Sequence, residues 1–169
     1  MDKSRIEREM HELEAKLGYT FKDISLLAAA MKSILLDKRE NGGKNYKKYS
    51  NEALSFLGDT IIKFLIAHHL YGLGKRKGDM TTEKSNLENN EIFHKIMKDE
   101  EESLIDFAYN DKYFYKDDPP QHEQVCSGRH DPYIEAIAAA IYWDGGWSNV
   151  TEWFENWLLP RLQKHRVSQ

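Results

Sequence analysis

Cysteine is nearly missing from this chain. Cys126 stands alone among 169 residues, so no internal disulfide can form, and a reducing compartment is expected. Proline and glycine are sparse as well, at four and ten, which excludes a long flexible linker; no repeat or low-complexity block is present. Long apolar runs are lacking, so no membrane-spanning segment is expected. The charged opening Met1-Asp2-Lys3-Ser4-Arg5 does not fit a secretory signal. These absences describe a soluble intracellular protein, cytoplasmic or nuclear, with no membrane partner. A basic surplus is missing too: 24 Lys and Arg stand against 28 Asp and Glu, a formal charge of −4. That excludes a uniformly nucleic-acid-binding surface.

What is there is a generous aromatic share and apolar residues at helical spacing, enough for one packed domain at this length. Ile6, Met10, Leu13 and Leu17 recur every three or four residues, with Gly18 as a stop. A second helix is expected from the cap Asp23 through Leu26, Leu27, Ala30 and Met31 to about Leu36. Asn41-Gly42-Gly43 then opens a lysine-rich loop. Ser50 is placed to cap a third helix that runs to about Tyr71, closed by Gly72 and Gly74. A single helix is expected from Thr81 to Met97, and a short one around Leu104 and Phe107. Asp131-Pro132 reads as a cap and first-turn proline for an apolar helix from Tyr133 to Trp143. Gly145-Gly146 ends it, and a last helix starts near Asn149. No run alternates cleanly enough for a strand, so the expected fold class is all-α.

The stretch Asn51-Glu52-Ala53-Leu54-Ser55-Phe56-Leu57-Gly58-Asp59 carries the sharpest chemical signal. Spacings of three and four stack Glu52, Ser55 and Asp59 on one helix face. Ile61, Ile62, Leu65 and Ile66 continue an apolar stripe. Carboxylates on an otherwise apolar helix are costly to bury without a compensating positive charge. Glu135 poses the same problem in an almost wholly apolar helix, and a metal ion, a base such as Arg129, or protonation would each resolve it. Positive charge is clustered at Lys44, Lys47 and Lys48, and again at Lys75-Arg76-Lys77. Either patch can track phosphates or be solvated loop charge. His122, Glu123, Cys126 and His130 form a weak zinc-like set.

The nine-residue stretch resembles the signature of the ribonuclease III family, Asn-Glu-x-Leu-Glu-Phe-Leu-Gly-Asp, and departs from it only at Ser55, where the family has a glutamate. Three further segments resemble that family in the same order. They are Leu13 to Asp23 with Leu26-Leu27, Thr81 to Lys95 with its Asn90-Glu91 pair, and Glu135 to Gly146. The resemblance covers residues 1–169 as a single ribonuclease III-like endonuclease domain. No segment within them resembles the double-stranded-RNA-binding module that commonly follows it.

That resemblance implies a metal-dependent endoribonuclease that cuts double-stranded RNA, leaves 5′-phosphate and 3′-hydroxyl ends, and serves RNA processing. The implied cofactor is Mg²⁺, for which Mn²⁺ can substitute. Carried over by position, Asp59 and Glu135 match metal ligands of the family, and Glu52 matches an acidic position near the cleavage site. Where the family has an aspartate three residues before the late glutamate, this chain has Pro132. Asp131, one place earlier, has two readings: a helix cap, or a carboxylate turned to the metal. Phe56 matches a residue that inserts into a second subunit, which implies a homodimer. A second function stays open, that of a catalytically impaired relative that binds RNA or a ribonucleoprotein as a dimer.

Overall fold

The structure is a computed structural model and describes residues 2–32, 36–39, 45–48, 51–109 and 132–166, the two four-residue segments by backbone alone. Helix α1 (Lys3–Leu17) begins at Asp2, whose carboxylate accepts from the Ser4 N–H at 3.0 Å, and ends at Gly18 in the left-handed region. Helix α2 (Ile24–Met31) is capped by Asp23 as expected. It stops five residues short of the expected end, because Lys32 turns to extended backbone and pairs with Tyr109, whose N–H donates to the Met31 carbonyl. A long-range contact has overridden local helical preference. The expectation of no strand is also corrected: β1 (Leu36–Arg39) and β2 (Asn45–Lys48) pair antiparallel, with Leu36 opposite Lys48 and Arg39 opposite Asn45. This small ribbon leaves the all-α class unchanged.

Helix α3 (Glu52–Gly72) and helix α6 (Tyr133–Trp153) form the central pair. From Tyr133 to Ile141 every residue of α6 is buried, with neighbours on all sides. Its Ala138-Ala139-Ala140 run keeps the helix slim enough for that. The expected break at Gly145-Gly146 is real: Gly146 adopts φ 77° and ψ −171°, a conformation costly for other residues. Helical structure resumes and continues through a π-type turn, Phe154–Leu158, into α7 (Leu159–His165). Trp153 and Trp157 are core, whereas Trp143 and Trp147 are exposed.

Between these elements, the single helix expected over Thr81–Met97 is two, α4 (Lys77–Leu87) and α5 (Asn90–Met97). Asn89 caps the second by accepting from the Glu91 N–H at 2.9 Å, at the point where the apolar spacing slips to five residues between Leu87 and Ile92. A 3₁₀ turn, Leu104–Phe107, lies where a short helix was expected. Asp144, near the kink of α6, accepts from the Tyr19 hydroxyl and from the Lys22 and Asp23 N–H groups at 2.8, 3.0 and 2.9 Å. This clamps the α1–α2 turn onto α6. Burial pushes the Asp144 carboxyl up, but these hydrogen bonds outweigh it and hold the group below its usual value. Helix α3 is long and apolar enough, by length and composition, to cross a bilayer. Here its stripe of Ile61, Ile62, Leu65, Ile66 and Leu70 is buried in the domain core.

Candidate active site

Helix α3 is entered through Asn51, and the expected cap, Ser50, lies outside the described residues. The fully buried Asn51 side chain donates to the Ala30 carbonyl at 2.8 Å and fixes the entry of α3 against the end of α2. From there the helix presents Glu52, Ser55, Phe56, Asp59 and Lys63 along one flank. They line an open cleft of about 440 Å³ together with Glu135 of α6 and Glu88 at the end of α4.

Gly58 makes this gathering possible. A Cβ built on it would lie 1.7 Å from the Glu135 carbonyl oxygen and 2.4 Å from its carbon, so the two backbones cross where no side chain fits. At that crossing the Ser55 hydroxyl donates to Glu135 Oε2 at 2.5 Å. Both groups are buried, at 1% and 3% exposure. The residue in place of the family glutamate has therefore become a hydrogen-bond donor to the other acid. This supplies a partner for Glu135 that none of the three expected solutions named.

Asp59, one turn further along α3, accepts from Lys63 Nζ at 2.8 Å. Both side chains are partly accessible, at 35% and 45%. The hydrogen bond to Asp59 raises the Lys63 ammonium above its usual value, aided by the charges of Asp59, Glu88 and Glu135 and against a smaller opposing effect of burial. Lys63 is thus firmly a cation. Glu88 itself is ion-paired with Lys84. Neither Lys63 nor Glu88 was singled out from the sequence. Lys63 was legible, four residues after Asp59 on the same face, whereas nothing local marks Glu88.

The structure thus brings together Asp59, Glu135 and Glu52 of the expected catalytic set. Asp131 and Lys44 lie outside the described residues, as do Arg129, His122, Glu123, Cys126 and His130. Lys47 and Lys48 are placed by backbone alone on β2. Lys75, Arg76 and Lys77 lie at the exposed α3–α4 junction, away from the cleft lining. Lys75 pairs with Glu83 at 2.6 Å and Arg76 approaches Asp79 at 3.9 Å. Phe56 is 77% exposed, so it is not core of this domain.

Among the described residues no three His, Cys, Asp or Glu side chains converge closely enough to hold a metal ion. Even so, Asp59 and Glu135 fit one by donor chemistry. Mg²⁺ commonly takes one or two carboxylates and completes its shell with water. Lys63 already occupies Asp59 as a stand-in cation, which marks where positive charge is called for.

Comparison with known proteins bears on the same residues. A profile of the Ribonuclease III domain matches residues 52–146, from Glu52 through Gly146. Ribonuclease 3 of Hahella chejuensis is 30% identical over 158 residues, 92% of this chain and 63% of that protein. Ribonuclease 3 of Vibrio cholerae is 31% identical over 157 residues, with the same two shares. The chain therefore spans under two thirds of the length of these relatives. Two solved structures of the nuclease domain of ribonuclease III from Campylobacter jejuni superpose with TM-scores of 0.63 and 0.62 at 26% identity. They cover 90% and 91% of this chain and 95% and 93% of those chains. One of them is described as showing structural flexibility in a region involved in dimer formation. With the profile spanning more than half its length and relatives named ribonuclease 3 matching 92% of it, this chain belongs to the ribonuclease III family.

Proposed function

We propose that this protein is a divalent-metal-dependent endoribonuclease that hydrolyses double-stranded RNA as a homodimer, leaving 5′-phosphate and 3′-hydroxyl ends. The observation that carries the reading is the α3–α6 crossing at Gly58, which sets Asp59 and Glu135 on one open cleft. The two acids lie 76 positions apart in the chain, and a fold with no use for them would not need to keep both facing that cleft. Asp59 and Glu135 would hold Mg²⁺ or Mn²⁺, with Glu52 at the mouth to orient water or the phosphate. A bound ion would supply Lewis-acid activation of the attacking water and of the phosphodiester. Ser55 fixes the Glu135 carboxylate in one orientation, which preorganises that ligand. Lys75, Arg76 and Lys77 would contact the duplex backbone as phosphate ligands that carry no sequence information. Exposed Phe56 is the contact to the second subunit.

The test is incubation of purified protein with long duplex RNA and Mg²⁺ or Mn²⁺. Cleavage to fragments ending in 5′-phosphate is expected, and Glu135→Gln should abolish it. Intact RNA under these conditions, with duplex binding retained, would replace the enzyme reading by that of an RNA-binding relative.

A further inference from the structure

Lys63 has no counterpart among the residues carried over from the ribonuclease III signature, yet it lines the cleft. Its ammonium sits 2.8 Å from Asp59 Oδ2, on one of the two carboxylates that would hold the ion. Among the described residues the cleft lining carries four carboxylates, Glu52, Asp59, Glu88 and Glu135, against the Lys63 ammonium, with Glu88 also paired to Lys84 just outside the lining. Glu135 is already satisfied in part by the Ser55 hydroxyl. Asp59, bearing the Lys63 ammonium, is therefore the carboxylate whose partner must change when a divalent ion arrives.

We propose that Lys63 is the resident counter-cation of this cleft, holding Asp59 when no divalent ion is bound and yielding it when one binds, so that Lys63 sets how much metal the protein needs. The inference rests on the proposed metal-dependent function and deepens it. Three features support a movable cation over a permanent structural pair. Both partners are partly accessible, so neither is locked by packing. They are one helical turn apart on α3, where such pairs form and break at little cost. Glu88, though paired with Lys84, lines the same cleft, and its charge already favours the Lys63 ammonium. A divalent ion and an ammonium competing for one carboxylate repel each other. Removing the ammonium should therefore tighten metal binding by on the order of tenfold at moderate salt, and by more at low salt.

The experiment is Mn²⁺ titration followed by electron paramagnetic resonance, which reads free Mn²⁺ directly and needs no RNA and no turnover. Wild type, Lys63→Gln, Lys63→Arg and Asp59→Asn are compared, with circular dichroism to confirm that each is folded. The expected result is a Kd about tenfold lower for Lys63→Gln, little change for Lys63→Arg, and loss of the site in Asp59→Asn. An Asp59-dependent site of equal or weaker affinity in Lys63→Gln would overturn the counter-cation role and leave the metal-dependent function standing. The absence of an Asp59-dependent site in both wild type and Lys63→Gln would overturn both.

Discussion

Replacing Gly58 with alanine tests the packing that creates the cleft. The added methyl would sit 1.7 Å from the Glu135 carbonyl oxygen, whereas an unstrained carbon contact needs about 3.5 Å. The obstacle is backbone on both sides, so α3 and α6 must separate by about 1.8 Å at that point. Added to the present 2.5 Å between Ser55 and Glu135, such a shift stretches that hydrogen bond to about 4.3 Å, past the range where it holds. Overpacking of this kind costs about 1–3 kcal/mol. Leaving a buried carboxylate without its donor adds about 1.5–3 kcal/mol. The sum, about 2.5–6 kcal/mol, is a large part of the stability of an ordinary domain. It should lower Tm by roughly 5–24 °C at this chain length. Differential scanning calorimetry reads the loss. Gly78→Ala is the matched control, because Gly78 lies in α4 with nothing within 4 Å of its would-be Cβ. Helix propensity alone should make that change neutral or stabilising by up to about 1 kcal/mol. A Gly58→Ala protein that melts within 2 °C of wild type and keeps its Mn²⁺ affinity would refute the close-crossing account.

Ser55→Glu, which restores the family residue, places a second carboxylate beside buried Glu135. It should destabilise the metal-free protein by about 3–5 kcal/mol, and Mn²⁺ should raise its Tm more than it raises that of wild type; equal Tm values without metal would contradict this. The Asp144 carboxyl is held below its usual value by three hydrogen bonds, chiefly those from the Lys22 and Asp23 N–H groups. The stability it confers is present above the unfolded value of 3.8 and lost as pH falls through the lower folded value. Denaturant melts of wild type and Asp144→Asn should therefore differ near neutral pH and converge below that window. Divergence on acidification would show the sign to be wrong. Phe56→Ala should shift the assembly towards monomer in sedimentation velocity without lowering monomer Tm, since the side chain is exposed; an unchanged dimer would remove Phe56 from the interface.

Much of the fold was legible because its causes are local. The cap Asp23, the stop at Gly18 and the break at Gly145-Gly146 act through a few neighbouring residues, and each appears near its expected place. Legibility failed where distant contacts intervened. Tyr109 ends α2 early through its bridge to Lys32. The break between α4 and α5 was legible but missed: the apolar spacing slips to five residues between Leu87 and Ile92, and Asn89 there is a capping residue. That same break leaves Glu88 lining the cleft.

The order of residues alone determined an all-helical domain, a helix with acids on one flank, and a second acid stranded among apolar neighbours. Each of these follows from side-chain periodicity and the cost of burying charge, which need no partner to be read. Only the tertiary structure decided that Ser55 hydrogen-bonds Glu135 across 80 positions of chain, and that Lys63 and Glu88 share their cleft. Those outcomes depend on how closely two helices can approach. That distance is set by a missing Cβ at Gly58 meeting a carbonyl whose position no local pattern encodes.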